Sequence, residues 1–523
     1  AEQGHVKAQF NLAGRYGKGE GVAQDDKQAV AWYRKAAEQG HAAAQFNLAG
    51  RYATGRGVAQ DDDQSVTWYR KAAEQGHVKA QFNLGERYAK GEGVARDAVQ
   101  AVAWYRKAAE QGHVMAQFNL GERYGNGEGV VLDDRQAMIW CRKAAEQGHV
   151  MAQFLLGWMY AHSRGVAQDY KQAVTLYRKA AEQGHVKAQF NLGTMYAYGR
   201  GVAQDDKQAV VWYRKAAEQG HMKAQFNLGE RYATGRGVAR DAVQAVAWYR
   251  KAVEQGDSMA QNNLGVMYQW GNGVAQDDKQ AVAWYLRAAE QGHVEAQYNL
   301  GWMYAYAKGQ GGAWDAAQAV AWYHKAAKHG HVEAKYELAR MYDDGRGVAQ
   351  DDKQATAWYR EAAEQKHTQA QYDLGGRYAT GRGVAQDDVQ AADWYHKAAE
   401  RGHVKAQLLL GEIYTTGQGV AQDYKKAAAW YRKVAKRGCV STQFLLGGMY
   451  EQGKGVAQNY KQAAAWYRKA AEQGHAAAQH NLARMYDDGR GVVRDDKKAV
   501  AWYRKAAEQG DVDAQRALGE MYV

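Results

Sequence analysis

The phrase that runs from Ala73 to Ala108, AEQGHVKAQFNLGERYAKGEGVARDAVQAVAWYRKA, returns along the whole chain at a period of 36 residues. A fixed period of that length leaves few folds open. Each copy is a single supersecondary unit that cannot bury its own apolar face, so roughly three or more must stack before any is stable. Copies begin at 1, 37, 73, 109, 145, 181, 217, 253, 289, 327, 363, 399, 435 and 471, and a partial copy begins at 507, giving about 14.5 units. The ninth copy, Ala289–Ala326, carries two extra residues within Ala305–Trp314. No linker interrupts the series, so one quasi-linear domain over 1–523 is expected.

Within a copy the apolar spacing is helical. In the third, Ala80, Leu84 and Tyr88 fall at i, i+4 and i+8, a stripe on one face of a first helix. Gly91 stands where a left-handed cap would end it, and Gly-x-Gly-Val turns the chain. Asp97 is placed to cap a second helix whose buried stripe is Ala101, Trp104, Tyr105 and Ala108, ending at Gly112. Comparing copies with one another, Trp holds its second-helix position in thirteen of fourteen (Leu176 is the exception), and Tyr its first-helix position in all fifteen. Small Ala and Gly columns let backbones approach, while the aromatic columns bury area between neighbours. The fold class is all-α, an α/α solenoid of helix–turn–helix repeats, whose stacking with a small constant rotation produces an extended concave surface.

The pattern Ala-x-x-x-Leu-Gly-x-x-Tyr-x-x-Gly-x-Gly-Val-x-x-Asp, followed by Ala-x-x-Trp-Tyr-Arg-Lys-Ala-Ala-Glu-Gln-Gly, resembles the Sel-one-like repeat, a relative of the tetratricopeptide repeat. The resemblance covers essentially the whole chain. It implies an all-α right-handed superhelix that serves as an adaptor or scaffold in protein complexes, often bacterial. Two departures are visible: Lys366 replaces the helix-ending glycine, and the ninth copy has its insertion. Relatives with cysteines paired inside each repeat differ from this chain, which has only Cys141 and Cys439, about 300 residues apart.

Composition removes other classes. There is no proline, only four serines, and 46% hydrophobic residues, too apolar for a disordered chain. No stretch approaches the ~20 apolar residues of a membrane span. The chain opens at Ala1 inside a repeating phrase, so a fragment or processed form is expected, with any targeting signal outside it. The net charge of +12 amounts to about one excess cation per repeat, favouring acidic partners weakly.

Candidate chemistry dissolves into columns. Twelve of seventeen histidines share one position (His5, His41, His77, His113, His149, His185, His221, His293, His331, His367, His403 and His475), with Asp257 and Asp511 in the same place. Asp there points to helix capping, which imidazole can also perform. Neighbouring histidines one repeat apart, ~10 Å by helix-packing distances, are too far apart to share a zinc ion. The Gly-x-Gly turns lack the strand and further glycine or Gly-Lys of a nucleotide loop. No serine has the lysine three residues on, or the Gly-x-Ser-x-Gly elbow, of a known nucleophile. Acid pairs such as Asp25–Asp26 recur in nearly every copy, which assigns them to caps. The expectation is therefore no catalytic residue, no metal and no cofactor.

Binding residues are expected where repetition fails on the first-helix face, which by the tetratricopeptide resemblance lines the groove. Asn119, Asn191, Asn227, Asn263 and Asn299 belong to an asparagine column suited to gripping the backbone of an extended peptide; the alternative is bonding between helices. A second column varies: Glu86, Glu122, Trp158, Thr194, Glu230, Val266, Trp302, Arg340. One turn on lie His162, Tyr198, Trp270, Tyr306 and Trp314. Non-template aromatics thus gather in repeats five to nine, and Trp158, Tyr198, Trp270 and Trp302 are the expected docking patch, extra packing between repeats being the alternative. The expected partner is a protein or an extended peptide. The competing class is an RNA-binding helical solenoid. Against it, the Arg-Lys pairs (Arg34–Lys35, Arg106–Lys107) sit on the second helix, offset by Glu38 and Glu110, and no polar code varies at fixed positions.

Overall fold

Each full phrase folds as two helices of about thirteen residues, and the partial one as a single helix, Val512–Glu520. The computed structural model describes residues 2–306 and 315–521, and among them are twenty-nine α-helices and no strand. The chain falls into two compact units, one of Ala1–Ala260 with Asn272–Val274, the other of Gln261–Gly271 with Ala275–Val523. Each is built from the same pair of helices, repeated. Most of the inserted segment, with Trp314, lies outside the described residues.

The third repeat shows why the pair forms. Its first helix is Val78–Lys90 and its second Ala98–Glu110. Asp97 Oδ1 accepts the backbone N–H of Val99 (2.9 Å) and Gln100 (3.0 Å), satisfying two donors that the helix leaves open. Gly91 ends the first helix at φ 75°, where a side chain would be strained. Two residues on, Gly93 answers a different need: a Cβ there would lie 2.1 Å from the carbonyl oxygen of Asp62, at the start of the preceding second helix. Ala101, Tyr105 and Ala108 are completely buried and Trp104 nearly so, as the stripe predicts. In the first helix Ala80 and Leu84 are buried, but Tyr88 stays partly exposed because its hydroxyl takes a hydrogen bond from Arg70 of the preceding repeat, at 2.8 Å.

Four polar seams tie one repeat to the next inside each unit. The histidine column caps the first helices: Nδ1 accepts a backbone N–H at 3.0–3.2 Å at eleven of its positions, as at His77 and His113. Ten of these eleven capping rings also lie against an aromatic of the previous first helix, such as Phe82 against His113 at 4.6 Å; at His293 the matching residue is Asn262. A second seam is a glutamine ladder: Gln111 Nε2 donates to Gln81 Oε1 (2.7 Å), and buried Gln81 donates to the Ala73 carbonyl (3.1 Å). Third, the second-helix arginine reaches the next repeat's tyrosine, as Arg106 does to Tyr124 at 2.6 Å. Fourth, the acid pairs divide their labour. Asp61 caps, while Asp62 pairs with Arg87 of the next repeat at 2.8 Å. In the first repeat Asp26 pairs with Arg51 and with Arg56, which hold its carboxyl below the usual range.

Two predictions follow from the caps. Lys366 sits at φ 71°, the left-handed conformation that glycine holds elsewhere in the array. Lys366→Gly should therefore stabilise the chain by about 1 kcal/mol, read as a higher denaturant midpoint at unchanged slope. A midpoint equal to or below wild type would refute it. Histidine Nδ1 can accept a hydrogen bond only while the ring is neutral. Burial lowers the pKa of His77, His113, His149, His185, His221 and His403, with Lys79 adding to the effect at the first two. A folded pKa below the unfolded one means that the unfolded chain takes up protons first. The stabilisation is complete above about pH 6.5 and is lost as pH falls below that value through the lowered folded pKa values. Melting temperature should drop between pH 7.5 and 5.5. Replacing His77, His113, His149, His185 and His221 by aspartate, as at Asp257 and Asp511, should flatten that drop, and an equally steep drop in the variant would count against it.

Candidate partner-docking site

The fifth repeat is where the first-helix face departs furthest from the template. Its first helix, Val150–Ala161, carries Leu155 in the asparagine column and Trp158 in place of the glutamates at 86 and 122. It ends a residue early, with Ser163 at φ 57° where the other repeats have glycine. His162 folds back, its Nδ1 2.9 Å from the Trp158 carbonyl oxygen and its ring stacked on the indole at 4.6 Å. On the neighbouring first helix, Val114–Asn126, Gly125 replaces the alanine found at 89. Between these two helices lies a cavity of about 330 Å³, walled by Phe154, Leu155, Trp158 and Met159 and floored by Gly121 and Ala137. That volume is at the small end of ligand pockets and suits one large side chain.

Two charged features frame this cavity. Glu122 stands at its edge, where desolvation by the surrounding groups raises its carboxyl pKa. Opposite, Arg164 reaches both oxygens of Asp134 at 3.0 Å, fixing the loop that follows Trp158. Beneath lies Cys141, fully buried, whose thiol pKa burial pushes up to about 12, so it is an inert packing group rather than a nucleophile.

The other expected residues lie in different surroundings. Tyr198, also in the first unit, is 68% exposed, with the Arg200 guanidinium 5.6 Å from its ring centre. Trp270 and Trp302 belong to the second unit. Trp270 is 64% exposed, whereas Trp302 is half-buried, near Tyr306, whose hydroxyl donates to Glu337 at 2.6 Å. The asparagine column is engaged between repeats. Asn119 donates to Glu86 at 2.8 Å beside the Tyr105 hydroxyl, and Asn191 and Asn227 lie close to the hydroxyls of Tyr177 and Tyr213. Asn299 donates to Asn262 at 3.0 Å, and Asn262 in turn to Asn263 at 3.4 Å. Sequence reasoning passed over Leu155, Gly125 and Ser163. The comparison between copies that singled out Trp158 marks Leu155 as well, since it breaks a column of asparagines.

The Arg-Lys pairs of the second helices are also engaged. Lys35, Lys71, Lys107 and Lys143 lie over the tryptophan three residues before them at 4.0–4.3 Å, and the adjacent arginines bond tyrosine hydroxyls. Among the described residues no group of three metal-ligating side chains converges, and no helix is long and apolar enough to cross a membrane.

Fourteen consecutive matches to the Sel1 repeat cover residues 6–41, 42–77, 78–113, 114–149, 150–185, 186–221, 223–257, 258–293, 294–331, 332–367, 368–403, 404–439, 440–475 and 476–511. The chain belongs to the Sel1 repeat family. Among solved structures it is similar to a protective antigen of uropathogenic Escherichia coli with an SLR fold, at 37% identity over 87% of this chain and 96% of that one, with a TM-score of 0.69. It also matches a Sel1 repeat protein of Oxalobacter formigenes at 33% identity, over 47% of this chain and 96% of that one, with a TM-score of 0.40. No curated protein matches the chain. Sel1 repeats form a solenoid of the tetratricopeptide kind that generally acts as a non-catalytic scaffold for protein interactions.

Proposed function

We propose that this protein is a non-catalytic scaffold that holds a protein partner through an extended peptide segment laid along its first helices, in the concave groove of the solenoid. The observation that carries this reading is the cavity at Trp158. Unlike the repeat seams, it has unfilled space, apolar walls and a rigid aromatic, the combination found at interface hot spots. One apolar side chain of the peptide enters it, and the exposed ring of Tyr198 offers a further stacking surface in the same unit; in the second unit the exposed Trp270 and the half-buried Trp302 offer others. The asparagines at 119, 191, 227, 263 and 299 contribute the hydrogen-bonding capacity that their inter-repeat bonds leave over, since an amide has two donors and a carbonyl that can accept twice.

Nucleic acid fits less well. The Arg-Lys pairs of the second helices, such as Arg106–Lys107, are engaged with tyrosine hydroxyls and tryptophan rings, which weighs against their serving as a phosphate-binding stripe.

The test uses the array's own residues. Peptides selected on the full chain from a displayed random library should favour one large apolar anchor. The double variant Leu155→Asn/Trp158→Glu restores the residues of other repeats and should melt as wild type does. It should bind the selected peptides at least about tenfold more weakly. Unchanged affinity in a folded double variant would place docking elsewhere, and selected sequences that bind with steep salt dependence and no apolar anchor would argue against the groove reading.

A further inference from the structure

The tenth and eleventh repeats, within the second unit, carry acids at first-helix positions that most other repeats fill with other residues. On the first helices Val332–Asp344 and Thr368–Thr380, Glu337 and Asp373 stand in the asparagine column, and Asp343 and Asp344 replace the alanine and lysine found at 89 and 90. Gly376 occupies the place of Glu86, and a Cβ there would meet only the Tyr395 hydroxyl, at 3.5 Å. With that side chain missing, a cavity of about 910 Å³ opens between the two helices.

Most of its charge is internally matched. Asp343 pairs with Arg377 and with Arg382 (2.9 Å), Asp352 with Arg382 (2.9 Å) and Arg377 (3.4 Å), and Arg340 lies 3.4 Å from Glu337. Asp373 is different. Its oxygens receive hydrogen bonds from two neutral groups, the Tyr336 hydroxyl at 3.2 Å and the Gln369 amide at 3.0 Å, and no cation lies within ion-pair distance among the described residues. Burial raises its pKa, with Arg340 and His403 near enough to oppose the shift only in part. A carboxylate withdrawn from water without an opposite charge is poorly compensated, and a cation supplied from outside would repair that. The walls suit such a cation, because Tyr336, Tyr372 and Tyr395 line the same cavity and aromatic faces attract ammonium and guanidinium groups.

We propose that this cavity receives a lysine or arginine side chain from a basic segment of a protein partner, with Asp373 as counter-ion and the tyrosines as walls. Four carboxylates (Asp343, Asp344, Asp352, Asp373) against three guanidinium groups (Arg340, Arg377, Arg382) line it, an acidic island in a chain of net charge +12. A basic segment is therefore repelled by the surface at large and favoured here, which gives register along the array as well as affinity. The inference adds a polar contact to the scaffold role but does not rest on the Trp158 cavity.

The test is binding of a fluorescein-labelled hexa-arginine peptide to the full chain, followed by anisotropy at about 0.15 M salt. Asp373→Asn restores the residue that nine other repeats carry in this column, and its melting curve verifies the fold. The expected result is saturable binding by wild type, weakened at least about tenfold by Asp373→Asn and unchanged by Leu155→Asn/Trp158→Glu. A folded Asp373→Asn variant that binds as wild type does would overturn the proposal, because general acidity would then suffice. So would wild type that fails to bind hexa-arginine at ~1 mM, or that binds hexa-glutamate as tightly.

Discussion

Two thirteen-residue helices cannot between them cover the apolar stripe that each carries, so every repeat is completed by its neighbour. The contact that makes this possible is a close one. A Cβ on Gly85 would lie 2.7 Å from the ring of Tyr105, so the tyrosine of the second helix packs onto bare backbone of the first. That approach fixes where the rest must go. Gly93 then presses on the start of the previous second helix, His113 reaches the aromatic of the previous first helix, and Gln111 reaches Gln81. Polar groups that would be costly when buried alone become the joints between repeats, because the geometry that buries them also supplies their partners.

Much of this was legible before any coordinates. Asp97 as a cap, Gly91 and Lys366 as left-handed positions and the burial of Ala101, Trp104 and Tyr105 all follow from local chemistry repeated at fixed spacing. What escaped was non-local. The Gln111–Gln81 bond joins positions 30 apart, and nothing in a helical wheel says that two polar residues so placed will meet. The second aspartate of each pair was read as part of a cap, yet Asp62 and Asp26 hold arginines of the following repeat. For the asparagine column, bonding between helices was one of two readings left open; what escaped was the partner, since a tyrosine hydroxyl is brought near only by the packing. At the candidate site, Trp158 was conspicuous as an added ring. Leu155 was open to the same comparison, since it breaks the asparagine column, whereas Gly125 and Ser163 leave only a missing methyl group and a changed turn.

The joints also show where the array is weakest. The ladder needs a glutamine at the end of each second helix, and in the second unit that residue is His329, Arg401 or Arg437 at three places. The matching acceptor oxygens, Gln297, Gln371 and Gln407 Oε1, are buried and without a partner among the described residues. An unmet buried acceptor costs about 1–3 kcal/mol, more than the Lys366 backbone strain in the same stretch. In the tenth repeat the ladder is rebuilt in another form, with buried Lys335 paired to Glu361 at 2.9 Å. Substitutions that a consensus array would not tolerate for stability alone thus gather in repeats nine to twelve, which is the pattern expected when stability is given up for a local purpose.

Both cavities arise in the same physical way, by subtraction. At the first, Leu155 and Gly125 remove an amide and a methyl group from a wall that other repeats fill. At the second, Gly376 lacks the side chain that most repeats carry at this place, such as Glu86. In a repeat protein the template side chains are mutually satisfied, so an extra group on the surface finds no room and usually points to solvent, as Tyr198 and Trp270 do. A removed group leaves its former partners facing empty space, and the chemistry of those partners decides what can enter. Around Trp158 they are apolar rings and methyl groups. Around Asp373 they are tyrosines and a carboxylate with only neutral donors. One backbone unit, copied along the chain, thereby offers an apolar recess and an acidic one with no change of fold.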